Sequence, residues 1–226
     1  MSKQAAAAPA PASVYAEIDL GGDYALTSPT NPAKAMITLP GDVHTALLDA
    51  GLIPDPYFGA NEQAVMWVHA TPWTVERRFT ASRADVDGYL TLTLEGVDSI
   101  ATILLNGEEV ARTQNQFIRY DIDVTGKVKA GANTLRIEFA VTKDVAKARA
   151  DAHPFPIPFT YNYLSNGLPG VHMNFVRKTA CHAGWDWGIC LMPTGVYGRM
   201  AIRRSRLARQ ESVQVEQAHG RNSVEL

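Results

Sequence analysis

The stretch "SIATILLNGEEVART" (99–113) decides how the chain is read. Its Asn106-Gly107 pair sits between two apolar runs. A two-residue hairpin turn needs backbone angles that Asn and Gly adopt at little steric cost, so this is the strongest short-range hairpin signal a sequence carries. The neighbouring segments keep the same period of two. "YLTLTLEGV" (89–97) sets Leu90, Leu92 and Leu94 against Thr91, Thr93 and Glu95. "WTVERRFTAS" (73–82) sets Trp73, Val75, Arg77 and Phe79 against Thr74, Glu76, Arg78 and Thr80. "FIRYDIDV" (117–124) places Ile118, Tyr120, Ile122 and Val124 on one face, and "KAGANTLRIEFAV" (129–141) turns at Gly131 and sends Leu135, Ile137, Phe139 and Val141 inward. Alternation of this kind marks half-buried strands, and short turns between them favour antiparallel pairing. The expected fold is an all-β, antiparallel jelly-roll β-sandwich with one short helix and long aromatic loops.

The helix falls in "LPGDVHTALLDAGLIPDPYFG" (39–59), where Asp42 can cap the N-terminus, Val43 and Leu47 share a face and Gly51 can end it. Pro54 and Pro56 then enforce an extended connection, "PDPYFGANE" (54–62). "KDVAKARADAHP" (143–154) reads as a short helical turn leaving the last of these strands. Residues 153–175 are poor in charge and rich in Pro, Phe, Tyr, Asn and Gly. A long aromatic loop on a β-scaffold is where function tends to sit. "GRMAIRRSRLARQ" (198–210) resumes a strand, and Val213 and Val215 mark the start of another.

Composition narrows the classes. The chain has 226 residues, 46% of them hydrophobic, and a net charge of −2. That suits one generous domain, or one domain and part of a second. No basic excess points to nucleic acid, and no apolar run is long enough to span a membrane. The N-terminal "MSKQAAAAPAPAS" is a flexible lead-in rather than a signal peptide, because alanine is weakly apolar and Pro9 and Pro11 interrupt it. Cytoplasm is the expected compartment, unless an export signal has been removed. Two cysteines, Cys181 and Cys190, are too few for a disulfide scaffold and read as reduced thiols.

The chemistry is sparse. There is no nucleophile elbow, phosphate loop or dinucleotide fingerprint, and no HExxH pair among the six histidines. Cys181, His182 and Cys190 lack a fourth ligand, so neither metal nor cofactor is expected. What stands out is "HAGWDWGICLMPTGVYG" (182–198), in which Trp185 and Trp187 bracket Asp186. By period two the indoles share one face and Asp186 takes the other. An indole can stack on the C–H face of a sugar while a carboxylate accepts from its hydroxyls. Burying that carboxylate costs several kcal/mol unless it is paired, and Arg177 or Lys178 could supply the pair. Spacing alone leaves sandwich core and sugar site equally open.

Three blocks, in order over roughly residues 35–204, resemble the N-terminal domain of glycoside hydrolase family 2 β-mannosidases. They are "LPGDVHTALLDAGLIPDPYFGANEQAVMWV" (39–68), "LEGVDSIATILLNGEEV" (94–110) and "RKTACHAGWDWG" (177–188); the first and third are the specific ones. The pattern near Gln116, and Arg203, Arg204 and Arg206, depart from the family; the arginines read as domain-boundary surface. The resemblance implies a galactose-binding-like jelly roll. It implies domains of residues 1–13 (flexible), 14–208 (sugar-binding) and 209–226 (the opening of an immunoglobulin-like second domain). It implies a retaining exo-β-mannosidase whose two catalytic glutamates lie on a (β/α)8 barrel, so no catalytic residue is assigned in this chain. Trp185 and Asp186 would bind the terminal mannose. Arg177, Lys178 and His182 would orient Asp186 or seal the domain interface. Trp187 would pack the loop on the sandwich, and Asn61, Glu62 and Trp67 would be structural or interdomain. The implied partners are a β-mannoside oligosaccharide and the downstream domains of the same polypeptide, with no nucleic acid and no membrane. A stand-alone carbohydrate-binding module and another family 2 specificity (β-galactosidase, β-glucuronidase or exo-glucosaminidase) are the alternatives.

Overall fold

Asn106 and Gly107 both take positive φ, 55° and 85°, and close the expected hairpin in the computed structural model. Its described residues are 13–157, 172–207 and 213–225. Most of the aromatic loop 153–175 and the N-terminal lead-in lie outside them. In chain order the strands are β1 (Tyr15–Asp19), β2 (Gly22–Thr27), β3 (Ala35–Leu39) and β4 (Gly41–Asp42), then helices α1 (Val43–Asp49) and α2 (Asn61–Ala64). There follow β5 (Trp73–Ala81), β6 (Tyr89–Glu95), β7 (Val97–Asp98), β8 (Ala101–Leu105), β9 (Glu108–Thr113), β10 (Arg119–Asp123), β11 (Gly131–Phe139) and helix α3 (Thr142–Asp151). The chain ends with β12 (Ala183–Trp185), β13 (Gly188–Cys190), β14 (Gly195–Val196), β15 (Met200–Ser205), β16 (Ala218–His219) and β17 (Val224–Glu225).

Two antiparallel sheets face each other, ordered β1-β15-β6-β10 and β3-β2-β5-β11-β8-β9. Their inner faces meet in one apolar cluster. Leu90, Leu92, Leu94 and Ile202 come from the first sheet; Leu26, Val75, Ile103, Leu135 and Ile137 come from the second; all are essentially inaccessible. Each such side chain contributes about 1.5–3 kcal/mol by leaving water, and the period-two pattern sends them all to one side. Asn106 does more than turn the chain. Its amide donates to the Lys127 carbonyl and to Asn133 Oδ1, both at 2.9 Å, and accepts from the Thr134 N–H at 3.0 Å. The turn residue thus ties the β8–β9 hairpin to β11.

Arg77 lies on the inward face of β5 with Trp73, Val75 and Phe79, as the alternation places it; it is half-buried, and its guanidinium reaches the Leu20 carbonyl at 3.1 Å and stands over the Tyr24 ring. Other expectations needed correction. The outer face of β6 is covered by side chains: Arg203 donates to Thr93 Oγ1 (2.9 Å) and to Asp121 Oδ1 (2.8 Å), which buries Thr93. Arg203 and Arg204 are therefore part of the sandwich rather than boundary surface, and Arg204 is itself buried. The one short helix is joined by α2, which starts at the end of the expected connection, and by α3, which makes the expected short helical turn a helix of ten residues. Val213 and Val215 are exposed and lie in no strand; the described tail holds only the β16–β17 pair. Strands β1 to β3 lie where the sequence pattern marks nothing.

Helix α1 ends as its sequence suggests. Asp42 Oδ1 accepts from the Thr45 N–H at 3.1 Å. At the other end Gly51, at φ +66°, donates to the Leu48 carbonyl and Leu52 to the Leu47 carbonyl, the paired C-terminal closure that a left-handed glycine permits. Just before α1, β4 joins β14 and β7 in a three-stranded patch. A Cβ on Gly195 would stand 2.1 Å from the Gly41 carbonyl oxygen, so only glycine allows this approach. The patch brings the 39–68, 94–110 and 177–198 segments together. No helix among the described residues is long and apolar enough to cross a membrane.

Candidate functional site

Residues 183–190 form a hairpin of their own. Ala183 pairs with Cys190 and Trp185 with Gly188, so Asp186 and Trp187 are its two-residue turn. Trp185 is half-buried, Asp186 is exposed and Trp187 is 73% exposed. The two indole rings lie 5.0 Å apart and tilted by 53°, on one side as the period requires. Neither ring is sandwich core, and Trp187 does not pack the loop on the sandwich: it stands in solvent at the tip. Among the described residues no hydrogen bond or ion pair is made by Asp186, whose side chain stands exposed.

The base of the hairpin is well supported. Ala183, Cys190 and Met192 join Ala146 of α3, Met173 and Val176 in a second, smaller apolar cluster, with Met66 against it. The Cys190 N–H donates to Glu62 Oε1 at 2.6 Å, across 128 residues of sequence. The Met192 N–H donates to the His182 carbonyl at 2.7 Å. Gln116 Oε1 accepts from the Thr179 N–H at 2.8 Å and its Oγ1 at 3.2 Å, so the residue at the family departure fastens the start of this segment. Glu62 is a structural anchor of the site. Asn61 holds the Asp55 carbonyl at 2.9 Å and Trp67 packs 6.1 Å from Trp73. Both cysteines are free thiols, Cys190 buried and Cys181 half-buried, and burial pushes Cys190 up to about 12.

The suggested partners of Asp186 lie elsewhere. Lys178 is buried and its ammonium binds Asp98 Oδ2 and, at 2.5 Å, the Pro193 carbonyl. His182 Nδ1 stands 3.7 Å from the same Asp98 oxygen. Burial raises Asp98 toward its neutral form, but the His182 ring, the Lys178 ammonium and the Ser99 hydroxyl outweigh it and hold the carboxyl below its usual range. Burial lowers Lys178, against the pull of Asp98. Arg177 is exposed; its backbone carbonyl accepts from the Gln116 N–H at 2.9 Å, and its residue lines a cleft of about 720 Å³ with Arg112, Gln114, Arg149 and Phe175. Sequence reasoning missed Asp98 because its partner is 80 residues away. It also missed a pair of buried histidines, His44 and His69, both lowered to about 4 by burial. Among the described residues no cluster of three His, Cys, Asp or Glu could hold a metal ion.

The chain matches the glycosyl hydrolase 2 galactose-binding domain-like family over residues 24–198, and it belongs to that family. It is similar to a β-mannosidase of Bos taurus (32% identity over 192 residues, 82% of this chain and 21% of the relative). It is also similar to a probable β-mannosidase of Caenorhabditis elegans (30% over 190 residues, 82% and 21%). A solved β-D-mannosidase from Dictyoglomus thermophilum superimposes with a TM-score of 0.74 at 28% identity, over 83% of this chain and 22% of that one. The chain thus spans about a fifth of the length of the curated relatives it matches.

Proposed function

We propose that this chain is the N-terminal domain of a retaining exo-β-mannosidase that removes terminal β-D-mannose from oligosaccharides. In this reading residues 14–208 are the sugar-binding domain, and 209–226 open an immunoglobulin-like second domain. The catalytic glutamates belong to a barrel outside this chain. The β-mannosidase relatives support the substrate class, and the exposed Trp-Asp-Trp turn is the observation that carries the role. Trp185 and Trp187 offer an aromatic wall, and Asp186 offers an exposed carboxylate beside it. Docked against the barrel, the turn would close one side of the mannose pocket, and Asp186 would accept from hydroxyls remote from the reacting carbon. Such contacts position the ring and supply binding energy that the transition state can use.

The test is Asp186→Ala in the full-length enzyme with p-nitrophenyl β-mannoside. Loss of one charged hydrogen bond should lower kcat/KM by about 1.5–3 kcal/mol, roughly ten- to a hundredfold. Unchanged kcat/KM removes Asp186 from the pocket. The 226-residue chain alone should show no turnover, and clear hydrolysis by it would place the chemistry here instead.

A further inference from the structure

The Trp-Asp-Trp hairpin is an excursion that leaves the sandwich after Lys178 and returns at Pro193. Both ends meet at one ammonium. The Lys178 ammonium bridges Asp98 Oδ2 and the Pro193 carbonyl, so it joins the outgoing segment, the returning segment and β7 at a single point. Asp98 is fixed in turn: it pairs with Gly195 of β14, which pairs with Asp42 of β4. Both side chains of the ion pair are fully shielded from solvent.

A shielded ion pair is a poor way to gain stability. Its charges give up hydration that their attraction scarcely returns, and apolar replacements of similar size often do as well or better. What such a pair does supply is register, because only one geometry satisfies both charges. We infer that Asp98 and Lys178 are positioning residues: the pair sets where the 183–190 hairpin stands on the sandwich, and so where Asp186 meets the sugar. The inference rests on the reading of Asp186 given above.

The decisive variant is the double replacement Asp98→Asn with Lys178→Met, which removes both charges together and leaves neither one uncompensated. Hydrogen exchange on the 226-residue chain reads the anchor without reference to catalysis. The expected result is a thermal midpoint no lower than that of the parent chain, with exchange of the 183–192 amides accelerated about tenfold or more and that of β5, β6 and β11 unchanged. In the full-length enzyme the double variant should lose about tenfold or more in kcat/KM, mainly through KM. That loss should vanish in an Asp186→Ala background. Several results overturn the inference: a double variant that does not fold, exchange that is uniform or unchanged, wild-type kcat/KM, or an equal loss with Asp186 already removed. If Asp186→Ala alone proves neutral, the sugar-pocket reading fails, and hairpin-confined exchange still decides whether the pair anchors the loop.

Discussion

Lowering the pH from 7 to 5 should strip this domain of stability through two buried histidines. His44 and His69 are 5% and 7% exposed, and among the described residues neither ring nitrogen of His44 has a hydrogen-bond partner. Burial lowers His44 to about 4; Asp42 opposes this and Lys178 adds to it. Burial lowers His69 to about 4 as well, with Lys143 and His44 adding to it. In an unfolded chain both return to about 6.5. Between those values the unfolded chain binds protons that the folded domain refuses, so stability rises with pH. The contribution is fully present above about 6.5 and disappears as the pH falls toward 4. Across pH 7 to 5 each ring accounts for about 2 kcal/mol, and the pair for about 4. Asp98 does not interfere: its carboxyl is held low, so its contribution is present above the usual carboxylate range and lost only below it. The assay is urea unfolding followed by tryptophan fluorescence at pH 7, 6 and 5, with a constant m-value confirming the same transition. His44→Gln and His69→Gln should each remove about half of the slope, and the double variant nearly all of it. A double variant that keeps the parent slope refutes the assignment.

Two further substitutions separate fold from site. Asn106→Ala should destabilise the domain by about 2–3 kcal/mol in urea, because it strands the Thr134 N–H, frees the Lys127 carbonyl and leaves an alanine at positive φ. Trp187→Ala should move stability by less than about 0.5 kcal/mol, since the ring is solvent-exposed at a turn. The same change should raise KM for a β-mannoside in the full-length enzyme; a large drop in thermal midpoint would instead return Trp187 to a packing role.

The sequence alone determined the elements whose rules are local. Leu90, Leu92 and Leu94 face the core because adjacent residues of a strand must point apart. Asn106-Gly107 turns because those two residues tolerate positive φ, and Asp42 and Gly51 bound a helix by rules that act within one turn. Strands β1 to β3 escaped because acids, glycine and threonines dilute their pattern, and β1 and β3 lie at sheet edges with one side unpaired. The motif itself was legible as Trp185-Asp186-Trp187, and its indoles do share a side. Whether they were core or site was not legible, because burial depends on what else the chain brings near.

Only the tertiary structure decided the partnerships. Lys178 precedes Asp186 by a few residues, yet its charge goes to Asp98; Glu62 spends its carboxylate on the Cys190 amide; and Arg203, which looks like surface, reaches Asp121. A charge removed from water must find a counter-charge or a hydrogen bond somewhere. Which one it finds is set by how the strands cross, and no local rule of spacing carries that information.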